Sequence, residues 1–152
     1  MKVLVTGGAG YIGSHTVRQL VKSGADVTVL DSMVYGHQAA IVDKEVTLVK
    51  GDLGDPSVVY PLLVNGKFDA VVHFAALIQV GESVTDPLKY YENNIAKPLV
   101  LLRAMILAGC KRFVFSSTCA TYGVPTQVPI PETEKQDPIN PYGGSKYMLE
   151  KV

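Results

Sequence analysis

Short β-branched and aliphatic runs alternate along the chain with longer stretches whose apolar positions recur every three or four residues. That pattern predicts βαβ units and a parallel sheet. Val3–Thr6 reads as the first strand and Tyr11–Lys22 as the following helix, with Gly24 where a helix-terminating glycine belongs. Val27–Leu30, Val46–Val49 and Ala70–Phe74 read as the second, third and fourth strands. Asp55-Pro56 opens a helix through roughly Val64, with Pro56 suited to its first position. Asp86-Pro87 starts another helical stretch to about Leu107, in which Pro98 predicts a kink or restart. Arg112–Ser116 is the fifth strand. Thr121–Pro141, rich in Pro and Thr, reads as a long loop of the kind that carries function, and Asn140-Pro141 caps a last helix from Tyr142. The expected strand order is 3-2-1-4-5. Val114 and its neighbours would then lie at an open edge, where exposed apolar residues favour self-association.

Composition narrows the class. The chain has 152 residues, 47% of them hydrophobic and 18% charged, with zero formal net charge, which suits one globular domain. No Lys/Arg run exceeds two residues, which argues against nucleic acid or an anionic membrane as a partner. No apolar stretch approaches the roughly 18 residues of a membrane span, and no secretory leader is visible. Cys110 and Cys119 form neither a disulfide framework nor a metal-ligand spacing, so no metal is expected. These features together predict a soluble, cytoplasmic protein.

Candidate chemistry begins at Gly7-Gly8-Ala9-Gly10-Tyr11-Ile12-Gly13, a glycine-rich turn between the first strand and the first helix. Such a turn lets the backbone approach a pyrophosphate and aims helix N-terminal amides at it. Asp31 closes the second strand and can accept hydrogen bonds from both ribose hydroxyls of an adenosine. It would repel a 2′-phosphate, and no Lys or Arg follows in residues 32–38, so NAD is expected over NADP. After the third strand, Asp52 can accept from the adenine amino group while Leu53 covers a ring face, although Gly51-Asp52 also makes an ordinary turn. Phe74-Ala75-Ala76 ends the fourth strand with two small residues, as a chain passing close beneath a cofactor requires.

Tyr142 and Lys146 stand four residues apart and share a face of the last helix. A phenol near pKa 10 is a poor base at neutral pH, but a neighbouring ammonium and a positive helix N-terminus both favour phenolate. Ser116-Ser117-Thr118 leave the fifth strand at the expected C-terminal edge of the sheet. A hydroxyl there can donate to a substrate oxygen while the tyrosine takes its proton.

Together the glycine turn, Asp31, Asp52, His73-Phe74-Ala75-Ala76, Gly81-Glu82-Ser83-Val84, Asn93, Ser117-Thr118 and the Tyr142/Lys146 pair resemble the UDP-glucose 4-epimerase family of extended short-chain dehydrogenase/reductases. The resemblance implies an α/β, Rossmann-type doubly wound parallel sheet. It also implies bound NAD, a UDP-glucose/UDP-galactose substrate, a 4-keto sugar intermediate and a homodimer of the full-length enzyme. Tyr142 would be the base and then the acid, Thr118 would orient the C4 oxygen, and Lys146 would tune Tyr142 and contact the cofactor. Asn93 and Ser116 join the cofactor-binding set on the same ground.

Related 4,6-dehydratases carry an Asp-Glu pair directly after the corresponding threonine, where this chain has Cys119 and Ala120. Decarboxylases of the family tend to keep a Glu at the second of these positions. Epimerisation is therefore expected over dehydration or decarboxylation, with a dinucleotide-binding module without turnover as the alternative from another class. Leu77-Ile78-Gln79 lacks the Lys that these epimerases often carry there. Family members continue for about as long again, so the expectation is an N-terminal NAD-binding domain lacking the substrate domain, inactive alone.

Overall fold

The computed structural model describes residues 1–152. In chain order the elements are β1 (Lys2–Thr6), α1 (Tyr11–Lys22), β2 (Asp26–Asp31), β3 (Thr47–Lys50), α2 (Pro56–Gly66), β4 (Ala70–His73), α3 (Val80–Thr85), α4 (Pro87–Tyr91), α5 (Lys97–Ala108), β5 (Arg112–Phe115) and α6 (Pro141–Lys151). A π-helical segment, Glu92–Ala96, stands between α4 and α5, and 3-10 turns cover Gln38–Ala40 and Cys119–Tyr122. The chain divides into two compact units, one of Met1–Ala75 with Lys97–Ser116, the other of Ala76–Ala96 with Ser117–Val152. No helix is long and apolar enough to cross a membrane.

The first unit holds a five-stranded parallel sheet in the order β3-β2-β1-β4-β5, the order the sequence predicts. Alternation along the central strands places helices on both faces. Val3 and Val5 of β1, with Val27 and Val29 of β2, pack against Val17 of α1. Leu4, Leu30 and Val71 turn the other way, onto Val59 and Leu63 of α2 and Leu101, Ala104 and Met105 of α5. Each fully buried side chain of this size contributes about 1.5–3 kcal/mol, so the two apolar layers dominate the unit's stability. The result is a Rossmann-type doubly wound sheet. β5 is its edge strand, and Val114 is 58% exposed there.

Helix ends follow the sequence signals. Gly24 sits just past α1 at φ +82, and its amide donates to Val21. Asp55 caps α2, accepting from the Ser57 amide at 2.8 Å, with Pro56 in the first helical position.

In the second unit, α3 is an element that the sequence pattern does not announce. Its six residues include Gly81, too few to show a helical period. The expected break near Pro98 lies slightly earlier, in the π-helical segment, and Pro98 occupies the first turn of α5, where it is tolerated. Residues 123–140 form the expected loop, fastened by Thr126 donating to Glu134 at 2.8 Å and by Gln136 donating to Glu150 at 2.6 Å. Asn140 caps α6 by accepting from the Gly143 amide at 2.8 Å.

Candidate functional site

In the first unit, the glycine turn lies directly on the end of β4. Gly7 has φ +71, and a Cβ there would fall 2.6 Å from the backbone nitrogen of Ala75 and 2.9 Å from the carbonyl carbon of Phe74. Both the left-handed backbone and this approach exclude any other residue. Gly10 caps α1 without a side-chain hydrogen bond, and no acidic residue occupies the first turn. The first α-helical bond is Ser14 to Gly10, which leaves the amides of Tyr11, Ile12 and Gly13 without intrahelical acceptors. A bare first turn of this kind suits a phosphate.

Asp31 is buried beside that turn. Its Oδ2 accepts from the Ala9 amide at 3.0 Å and its Oδ1 from the Met33 amide at 2.8 Å. A carboxylate offers about four lone-pair sites, so roughly half its capacity remains for hydroxyl donors. Residues 32–38 bring no Lys or Arg to it. The turn after β3 presents Asp52, whose Oδ1 accepts from the Gly54 amide at 2.7 Å and whose Oδ2 pairs with Lys97 Nζ at 2.6 Å. Burial pushes the Asp52 carboxyl up, but the hydrogen bonds from Lys97 and Gly54 and the Lys97 charge outweigh it, holding the group below the ordinary carboxylate value. Leu53 packs its side chain into the core cluster with Leu4 and Leu30. Phe74 donates its amide to Thr6 at 2.9 Å, and Ser116 closes β5 by donating to the His73 carbonyl at 3.1 Å.

The second unit gathers Ala76, Asn93, Thr118, Tyr142 and Lys146. Thr118 caps the 3-10 turn, its Oγ1 accepting from the Ala120 amide at 3.2 Å, which leaves the hydroxyl hydrogen available to a substrate oxygen. The start of α6 runs tightly along that turn. At Gly143 a Cβ would come 2.5 Å from the Ala120 carbonyl oxygen, so only glycine allows the approach. Tyr142, in the first turn of α6, is half-buried, and Lys146 one turn later is 3% exposed. Burial pulls the Lys146 ammonium down to about 8. At pH 7 the charged form still prevails.

Sequence reasoning missed Asn94, which sets these side chains. Asn94, buried in the π-helical segment, accepts from the Leu77 amide at 2.9 Å, donates to the Leu77 carbonyl at 2.9 Å and donates to Ser145 at 3.1 Å. Ser145 in turn donates to the Tyr142 carbonyl at 2.7 Å, so Asn94 anchors α6 beside the tyrosine. Asn93 donates to Asn94 at 3.0 Å. Glu82 of α3 accepts from Lys89 at 2.5 Å and from Tyr90 at 2.8 Å, which fastens α3 to α4. The adjacent Asn93 and Asn94 were a signal for Asn94; Lys97 carried none.

The sequence pattern that defines the NAD dependent epimerase/dehydratase family matches residues 3–152. A UDP-glucose 4-epimerase of Lactobacillus helveticus is 54% identical over 152 residues, spanning 100% of this chain and 46% of that protein. The solved UDP-Glc/GlcNAc 4-epimerase of Campylobacter jejuni superposes with a TM-score of 0.95 at 46% identity, over 99% of this chain and 47% of that one. The UDP-glucose 4-epimerase of Brucella ovis, solved in complex with NAD, gives a TM-score of 0.94 at 46% identity, over 99% and 46%. The chain thus spans about half the length of the curated relatives it matches.

Proposed function

Since this chain belongs to the NAD dependent epimerase/dehydratase family, we propose that it is the NAD-binding part of a nucleotide-sugar 4-epimerase that interconverts UDP-glucose and UDP-galactose through a 4-keto sugar. The observation that carries the reading is in the second unit. Thr118 keeps a hydrogen to donate, α6 carries Tyr142 one turn before the buried Lys146, and Cys119 and Ala120 supply neither acid nor base for losing water. Identity of 54% to an epimerase supports the same choice within the family.

The donor set fits NAD. The bare first turn of α1 (Tyr11, Ile12, Gly13), with Gly7 and Gly10, would hold the pyrophosphate, Asp31 the adenosine ribose and Asp52 the adenine amino group. Leu53, Phe74, Ala75, Ala76, Asn93 and Ser116 would complete the cofactor surface. When bound, NAD supplies reversible oxidation at sugar C4. Thr118 donates to the C4 oxygen and orients it. Tyr142 takes the C4 hydroxyl proton and later returns it from its phenol. Lys146 stabilises the phenolate by its charge and holds a cofactor ribose hydroxyl.

Two results test these assignments. Asp31→Ala is expected to weaken NAD about ten- to hundredfold, the range for hydrogen bonds to a charged group, and to narrow its preference over NADP. Calorimetric titration with both dinucleotides checks this, and an unchanged preference would remove Asp31 from the ribose site. Lys146→Met in the full-length enzyme is expected to lower turnover and to move its pH optimum upward by about one unit. The sign follows because the phenolate loses a positive neighbour and then requires a lower proton concentration. A pH–rate profile decides it; an optimum that stays or falls contradicts the role.

A further inference from the structure

Lys97 is the one charged side chain of the first unit that ion-pairs with a proposed cofactor ligand, and neither motif nor mechanism has used it. Its Nζ lies 2.6 Å from Asp52 Oδ2, while the Gly54 amide holds the other oxygen at 2.7 Å. Its stem lies along the same turn: a Cβ on Gly54 would come 2.7 Å from Lys97 Cγ. The Asp52-Leu53-Gly54 turn is therefore gripped from three directions, by Lys97 above, by the Gly54 amide within and by Leu53 in the core below.

The pair is not a buried structural bridge. Side-chain exposures of 29% for Lys97 and 44% for Asp52 place it at the rim of the unit, where ion pairs contribute little to stability. What the arrangement does achieve is a fixed direction for one carboxylate. With a partner on each oxygen, the group cannot rotate about its terminal bond without losing both. Each oxygen still keeps lone-pair capacity for one further donor.

We propose that Lys97 is a positioning residue for the adenine end of the dinucleotide, locking the Asp52 carboxylate so that it accepts from a base that carries an exocyclic amino group. The proposal rests on the NAD-binding reading above. Its consequence is base specificity: an amino group donates to the fixed carboxylate, whereas a keto oxygen at the same ring position meets it acceptor to acceptor. The Lys97 hydrogen bond and charge also favour the ionised form of Asp52, a pure acceptor.

The test compares NAD with nicotinamide hypoxanthine dinucleotide, whose base carries a keto oxygen and an N1–H where adenine has its amino group and an acceptor N1. Affinities are measured by calorimetry on the purified full-length protein, on Lys97→Met, which keeps the stem over Gly54, and on Lys97→Arg. Thermal melting confirms that each variant is folded. The expected result is a wild-type preference for NAD that shrinks about fivefold in Lys97→Met, the scale of a partly exposed ion pair, and returns in Lys97→Arg. A purely structural lysine would weaken both dinucleotides alike and leave the ratio unchanged, which overturns the proposal. So does tighter NAD binding by Lys97→Met, which would mean that Lys97 competes with the base for Asp52. A wild-type protein that binds neither dinucleotide would instead overturn the cofactor reading itself.

Discussion

Replacing Tyr142 by Phe in the full-length enzyme is expected to lower epimerase turnover by at least about a hundredfold while NAD stays bound. The substitution removes one oxygen and keeps the ring, so the first turn of α6 and its Asn140 cap are undisturbed. A positioned general base contributes about a hundredfold or more, equivalent to roughly 2.7 kcal/mol of barrier. The second unit offers few substitutes. Cys119 is exposed beside Thr118, but a thiol has no aligned charge partner there, and Glu150 is already engaged by Ser117 and Gln136. Steady-state rates together with the NAD content of the purified variant separate lost chemistry from lost cofactor. Turnover within a few-fold of the unsubstituted enzyme would mean that another group moves the proton.

The second large effect is expected at Gly7. An alanine there takes on the left-handed backbone strain of about 1–2 kcal/mol and then drives its Cβ into the backbone of Phe74 and Ala75. Backbone cannot swing aside as a side chain can, and overpacking of this kind costs about 1–3 kcal/mol more. A total near 3 kcal/mol is expected, with NAD binding impaired because the turn must lift from β4. Gly24 provides the control: its φ is +82, yet nothing lies within 4 Å of a Cβ there, so Gly24→Ala incurs only the strain. Chemical unfolding of the two variants reads the difference. Equal losses would show that Gly7 is held by its turn alone and not by contact with β4.

The parts of the fold that were legible in the sequence are those governed by local rules. Tyr11–Lys22 is bounded in the structure where its glycines and its apolar period place it, and β1, β2 and β4 are short Val-rich runs that only burial on both faces explains. The strand order 3-2-1-4-5 expected from the βαβ rhythm is the one the sheet adopts. Elements held by polar side chains from distant positions were not legible. α3 depends on Glu82 reaching Lys89 and Tyr90, and no six-residue window shows that. The break expected at Pro98 falls instead at Glu92–Ala96, where Asn94 is drawn inward to the Leu77 backbone and to Ser145, 51 residues away.

The candidate site divides in the same manner. Asp31 and the glycine turn could be read because they sit at fixed offsets from predicted strand ends, and the structure seats Asp31 against the Ala9 amide. Leu53 packs in the core cluster with Leu4 and Leu30, which its sequence context does not show, since a leucine after a turn looks the same whether it faces a base or the core. Lys97 was invisible for want of any periodic or motif signal, being 45 residues from Asp52 in sequence. Helix spacing put Lys146 one turn after Tyr142, but its burial, which pulls it to about 8, follows only from packing.

The most direct measurement of the epimerase reading uses UDP-galactose carrying deuterium at C4 and the full-length protein. The account predicts UDP-glucose that retains its deuterium at C4, because oxidation and return take place at one carbon within one active site, and predicts that Tyr142→Phe forms this product at least about a hundredfold more slowly. Deuterium lost to solvent, a 6-deoxy-4-keto sugar in place of UDP-glucose, or no conversion at all would contradict it.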